Sequence, residues 1–160
     1  MSRSWSRNRL KFALAGPVFE AGNRFIPGRP HARLAGLVAK QRPQQVLELC
    51  GGTGYAARLL ARLSPTTQID SLDISPEMLA VGRHHLARHH IDNVTLHEGD
   101  AAALPFGDNT FDVAMSVFGW HELPTDIRHR AIDETRRVLR PGGQVIAIDL
   151  DPPPTARWAY

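Results

Sequence analysis

The 160-residue chain predicts a doubly wound α/β fold: a parallel sheet with helices on both faces. Three observations carry this. Short apolar runs of strand type alternate with longer stretches of helical periodicity. The first run ends in a glycine turn, Gly51-Gly52-Thr53-Gly54, that opens into a helix. An acid, Asp73, closes the second run nineteen residues after Gly54. Such alternation specifies parallel pairing through right-handed crossovers.

The elements follow in order. Pro30 opens a helical pattern with Leu34, Leu37 and Val38 on one face, and Pro43 stops it. Residues 46–50 (VLELC) read as a short buried strand. Helical spacing resumes at Ala56, Leu59, Leu60 and Leu63 and ends at Ser64-Pro65. Residues 68–73 form a second strand. Ser75 is then a helix cap with Pro76 in the first turn. That helix turns Met78, Leu79 and Leu86 inward and ends near His90. Residues 93–97 and 111–117 are the third and fourth strands. Thr125 caps a helix carrying Ile127, Ala131, Ile132, Thr135, Val138 and Leu139. Arg140-Pro141-Gly142-Gly143 ends it, and residues 144–150 are a fifth strand. Open sheets of this kind bind ligands at the carboxyl ends of their strands, where strand order reverses. The first strand and its glycine turn are expected there.

Length and composition bound the rest. One domain fits, spanning 1–160, with a basic helical arm (1–42), a ligand-binding core (43–150) and a short tail (151–160). With 42% hydrophobic and 22% charged residues the chain is globular rather than disordered. No apolar stretch is long enough for a transmembrane helix. A single cysteine excludes an internal disulfide framework and an all-cysteine zinc site, and makes a reducing, cytoplasmic setting the expectation. Residues 1–42 carry a net charge of +8 and the remainder −5. Such an arm attracts nucleic acid, anionic lipid or an acidic substrate, or lies over the acidic body and covers a cleft. Its apolar run at residues 12–15 is broken by Gly16-Pro17, too short for a secretory signal. Trp5, Phe12 and Phe19 share one helical face, expected to pack on the body.

Chemistry concentrates at the glycine turn. Glycines let a ligand approach the backbone, and the helix that follows offers free N–H groups. The segment also fits the dinucleotide pattern G-x-G-x-x-G/A. Charge separates the options. A dinucleotide would bring a pyrophosphate close to Glu48, whereas S-adenosylmethionine brings a sulfonium and an ammonium that Glu48 complements. Asp73 stands where an acid grips ribose hydroxyls, which suits either cofactor.

Several stretches resemble the class I S-adenosylmethionine-dependent methyltransferases, above all small-molecule members such as the ubiquinone/menaquinone C-methyltransferase group. They are residues 46–54, residues 69–75 with Met78 following, residues 99–106 with Phe111-Asp112, and residues 138–143. The resemblance implies a Rossmann-like sheet in the order 3-2-1-4-5 and S-adenosylmethionine as cofactor. Glu48, Gly52 and Gly54 would contact the methionine part, and Asp73 the ribose. Ile74 would pack on adenine together with Met78. Asp100 would accept from the adenine amino group with the Ala101 backbone beside it. Ser116 and Val117 would lie near the sulfonium. Cys50 replaces the family's usual first glycine. Its backbone is expected to avoid strongly positive φ, and its thiol to serve as a small apolar filler.

Methyl transfer from a sulfonium needs alignment and exclusion of water, and a general base only where the acceptor loses a proton. His121, after the fourth strand, is the candidate base, with Glu122 a weaker one. His85 and His89 sit four apart on a helix, but their arginine neighbours oppose a dication, so no metal site is expected. One cysteine also argues against arsenic methylation. The expected function is methyl transfer to a small-molecule acceptor. The alternatives are a cofactor-binding module without turnover and an RNA methyltransferase using the basic arm. The resembled fold has seven strands, and ten residues with three prolines after Leu150 do not supply the last two. A shortened methyltransferase is therefore expected. Its fifth-strand edge, or a tail with Trp158 and Tyr160, would serve a homodimer contact.

Overall fold

The computed structural model describes residues 16–150. Among them, five strands form one parallel sheet in the order β3-β2-β1-β4-β5. The strands are β1 (Gln45–Leu49), β2 (Gln68–Asp73), β3 (Val94–Glu98), β4 (Phe111–Val117) and β5 (Leu139–Ile148). The helices are α1 (Gly16–Gly22), α2 (Pro30–Lys40), α3 (Tyr55–Leu63), α4 (Pro76–Arg88) and α5 (Thr125–Val138), with a 3-10 turn at Trp120–Glu122. The expected strand order is thus observed, and it reverses between β1 and β4. Trp5, Phe12, Trp158 and Tyr160 lie outside the described residues, as does the side chain of Phe19.

Period-two alternation sorts the core onto two faces. Val46, Ile69, Val113 and Met115 pack against Leu34, Ala35 and Val38 of α2 and Ala57 and Leu60 of α3. Leu47, Leu49, Leu72 and Ala114 pack with Leu104 and with Ile127, Ala131 and Val138 of α5. Burial on both faces explains why β1 and β4 carry apolar residues at adjacent positions, Val46-Leu47 and Val113-Ala114-Met115. Ser75 caps α4, its hydroxyl accepting from the Met78 N–H at 3.3 Å.

Two local expectations are corrected. Thr125 does not cap α5: Pro124 holds that position, and its carbonyl accepts from the Arg128 N–H at 2.8 Å. The segment 140–143 is not a helix end. It is a bulge within β5, whose Leu139 pairs with Phe111 and whose Gln144 pairs with Val113. Gly142 turns there at φ +82°. Gly16 and Pro17 are the first described residues of α1, and the expected break in the apolar run at residues 12–15 lies outside the described residues.

α1 lies over the glycine turn. Among the described residues, the arm's one acid makes the contact. Glu20 accepts from Thr53 Oγ1 at 2.6 Å and, with both oxygens, from Arg58 at 2.6 Å. Arg58 is buried, so this charge-assisted pair is shielded from water.

Candidate ligand-binding and catalytic site

A cavity of about 310 Å³ opens at the carboxyl ends of β1, β2 and β4, where the strand order reverses. Cys50, Gly51, Gly52 and Thr53 of the turn form its floor. Leu72, Asp73, Ile74, Met78, Gly99 and Ala101 form one end. Val117, Phe118, His121, Glu122, Leu123 and Leu150 form the other, and Asn23, Ile26 and His31 close it from the N-terminal segment. No lysine or arginine lines it among the described residues.

Of the residues singled out from sequence, Cys50, Gly52, Asp73, Ile74, Met78, Ala101, Val117 and His121 line the cavity. Glu48, Gly54, Asp100 and Ser116 do not. Alternation turns Glu48 to the α3 side of the sheet, where register sets it beside Ser71. It accepts from Ser71 Oγ at 2.5 Å and from the Ala57 N–H, in the first turn of α3, at 3.3 Å. Glu48 therefore holds the turn from beneath. Gly54 caps α3 at φ +67°. Asp100 folds back to accept from the Ala102 N–H at 2.8 Å. The Ser116 hydroxyl is buried beside Cys50 and Gly119, without a partner among the described residues.

Asp73 presents its carboxylate to the cavity. Oδ2 accepts from the Gly52 N–H at 2.7 Å and Oδ1 from the Ser75 N–H at 2.9 Å. Burial raises its pKa, and those N–H groups oppose the rise. A carboxylate has about four acceptor positions, so Asp73 keeps acceptor capacity for a vicinal diol beyond its backbone partners. Beside it, Ile74, Met78 and Ala101 offer apolar surface suited to a flat ring.

Cys50 overturns one expectation: its φ is +53°, in the left-handed region that the usual glycine would occupy freely. Phe118, at the end of β4, matches it at φ +57°. Burial and the surrounding acids, Asp73 first, raise the pKa of the Cys50 thiol, so it stays protonated and inert.

Two buried groups titrate in opposite senses. Burial lowers His31 from 6.5 to about 4, against the pull of Glu20. The unfolded chain therefore takes up this proton first, and stability is lost as pH falls from 6.5 towards 4. Burial raises Glu48 from 4.5 to about 7, against its hydrogen bonds from Ser71 and Ala57. Here the folded chain holds the extra proton, so this stability is present below 4.5 and is lost as pH rises towards 7. Each contribution is roughly 3 kcal/mol in full. Denaturant titrations across pH 4–7 should show His31→Leu removing the acid-side loss and Glu48→Gln removing the loss towards neutrality. Parallel pH dependence in wild type and both variants would refute the assignment.

Sequence reasoning missed Asp149, Glu20, His31 and the cavity wall at Phe118. Asp149 follows β5, and its Oδ1 lies 2.5 Å from His121 Nδ1. The signal was present: in this strand order, the ends of β4 and β5 are neighbours. Glu20 carried no signal, since nothing in the arm's sequence ties it to Arg58.

The comparisons with known proteins agree with this geometry. A family model described as a methyltransferase domain matches residues 46–143. A demethylmenaquinone methyltransferase of Thermus thermophilus is 31% identical over 147 residues, covering 89% of this chain and 66% of its own length. The chain thus spans just under two thirds of that relative. A putative sarcosine dimethylglycine methyltransferase of Galdieria sulphuraria superposes with a TM-score of 0.69 at 28% identity, over 76% of this chain and 46% of that one. The [4+2]-cyclase SpnF superposes at 0.67 with 30% identity, over 74% and 44%. The fold by itself therefore does not dictate methyl transfer. With its matched span, its sheet order and its glycine turn at the switch point, the chain belongs to the class I S-adenosylmethionine-dependent methyltransferase family.

Proposed function

We propose that this chain binds S-adenosylmethionine in the cavity and transfers its methyl group to an apolar small molecule, of which a reduced quinone is the first candidate. The observation that carries the reading is the cavity's charge. It sets Asp73 beside an apolar slot and has no lysine or arginine among its described walls. A pyrophosphate would find no lysine or arginine among these described walls, whereas a ribose diol and a sulfonium find acceptors. The relatives named for demethylmenaquinone supply the acceptor class.

In this reading Asp73 holds the ribose, Ile74 and Met78 flank the adenine, and the Gly52–Gly54 turn offers N–H groups to the methionine carboxylate. Glu48 acts indirectly, by fixing that turn. Asp100, Ala101, Ser116 and Val117 complete the cofactor walls, with Asp100 and Ser116 behind them. The cofactor, when bound, supplies an activated methyl carbon. The residues align the acceptor, exclude water through Leu123, Phe118 and Ile26, and remove a proton through His121.

Calorimetry with S-adenosylmethionine and with NAD tests the cofactor; preferred NAD binding overturns the reading. Labelled methyl transfer to reduced demethylmenaquinone tests turnover. Tight cofactor binding without transfer to any acceptor would leave a binding module instead. No described helix is long and apolar enough to cross a membrane. The lone cysteine supports a reducing, cytoplasmic setting. The outer edge at β5, with Val145 exposed, is where a homodimer contact would form, and sedimentation tests it.

A further inference from the structure

The cavity's far end contains a carboxylate–imidazole pair that the family motifs do not include. Asp149 begins the segment after β5. Its Oδ2 accepts from the backbone N–H groups of Trp120, at 2.8 Å, and His121, at 3.2 Å. Its Oδ1 lies 2.5 Å from His121 Nδ1 and also accepts from the Leu150 N–H at 2.7 Å. One side chain thus fixes the 3-10 turn and the imidazole on it. His121 belongs to the cavity wall, and its side chain is about one quarter exposed.

We propose that Asp149 is a positioning residue that holds a proton on Nδ1 of His121 and leaves Nε2 as the base for the methyl acceptor's proton. This rests on the methyl-transfer reading above and deepens it. An ionised carboxylate can only accept, so the nitrogen facing it must be the one bearing hydrogen. The neutral ring then has its lone pair at Nε2. Among the described residues, the charged groups packed against this ring are Asp149, from the end of β5, and Glu122, from its own turn. Glu122 Oε1 stands 3.5 Å from Nε2 against 2.5 Å for Asp149 Oδ1 from Nδ1, so the single proton of the neutral ring faces the nearer, hydrogen-bonded acid. The Cys50 thiol, on the same cavity wall, stays neutral.

The step balances. The bond from sulfur to the methyl carbon breaks, and its electron pair stays on sulfur. A new bond forms from the acceptor to that carbon. One proton leaves the acceptor for Nε2. The positive charge lost by the sulfonium reappears as an imidazolium paired with Asp149. The acceptor must therefore carry an exchangeable proton, from a hydroxyl or an activated ring carbon. A tertiary amine would leave His121 idle.

The test has two independent readouts. Nitrogen-15 NMR of the histidine side chains, on protein without acceptor, should show His121 protonated at Nδ1 in wild type. Asp149→Asn should lose that tautomer, because the amide can donate to Nδ1. Turnover is then followed with S-adenosylmethionine and reduced demethylmenaquinone. Asp149→Asn should lower kcat about 100-fold with cofactor Kd within twofold of wild type. The double variant His121→Ala/Asp149→Asn should be no slower than His121→Ala alone. The pH–rate profile should lose its acid limb in Asp149→Asn. An Nε2-protonated His121 in wild type overturns the proposal, as does unchanged kcat in Asp149→Asn. So does an additive double variant. Absence of transfer by wild type, with the Nδ1 tautomer intact, instead overturns the methyl-transfer reading.

Discussion

Gly51→Ala is expected to abolish cofactor binding and to cost about 3 kcal/mol of stability. The obstacle is space rather than backbone torsion. A Cβ built at Gly51 falls 2.2 Å from Ser71 Oγ and 2.5 Å from Glu48 Oε2. Both groups are almost wholly buried and bonded to each other, so neither has room to retreat. Displacing them unpairs a buried carboxyl and releases its hold on the Ala57 N–H. The turn that forms the cavity floor then loses its support. Thermal melts should fall by roughly 6–12 °C for a chain of this size, and calorimetry with S-adenosylmethionine should show no heat. Gly36→Ala is the control. Nothing lies within 4 Å of its added Cβ, and a helix interior gains from alanine, so stability should rise slightly. A Gly51→Ala protein with wild-type melting and affinity would refute this account of the turn.

Asp73→Ala has the second-largest expected effect, and it falls on binding. The variant removes the carboxylate offered to a ribose, each charge-assisted hydrogen bond to which is worth about 1.5–3 kcal/mol. It also leaves the Gly52 and Ser75 N–H groups without their carboxylate. Affinity for S-adenosylmethionine should fall by at least ~100-fold. Adenine alone, lacking the diol, should bind wild type and variant alike. Equal loss for adenine and for the full cofactor would mean that the variant had collapsed the slot, not lost a ribose contact.

Much of this architecture was legible before any coordinates. β1 and β4 carry adjacent apolar residues because both their faces are covered, and Asp73 sits at a strand end because its chain spacing requires it. What remained hidden was which face a residue takes and what crosses the chain to meet it. Glu48 read as a ligand to a cation because its neighbours in sequence form the turn. Pleating sends it the other way, to Ser71 and the start of α3. Glu20 and Asp149 were invisible for a different reason. Their partners, Arg58 and His121, lie 38 and 28 residues away along the chain. Only the folded path brings them together. The Arg140–Gly143 segment misled because a bulge and a helix stop draw on the same residues.

The left-handed backbone at Cys50 and Phe118 bears on how this protein can change. Each non-glycine residue held there stores roughly 1–2 kcal/mol of strain, at the two strand ends that frame the cavity. A laboratory selection for heat resistance would meet Cys50→Gly early, since it relaxes one torsion without disturbing the sheet. Phe118→Gly would relax the other but remove the ring that packs edge-on to His31, 5.9 Å between centroids. Robustness at the first position therefore costs only a small side chain of the core and cavity floor, whereas at the second it is opposed to cavity shape. Variants sorted by melting temperature alone should accumulate glycine at 50 and keep the aromatic at 118 only where a ligand is also selected for.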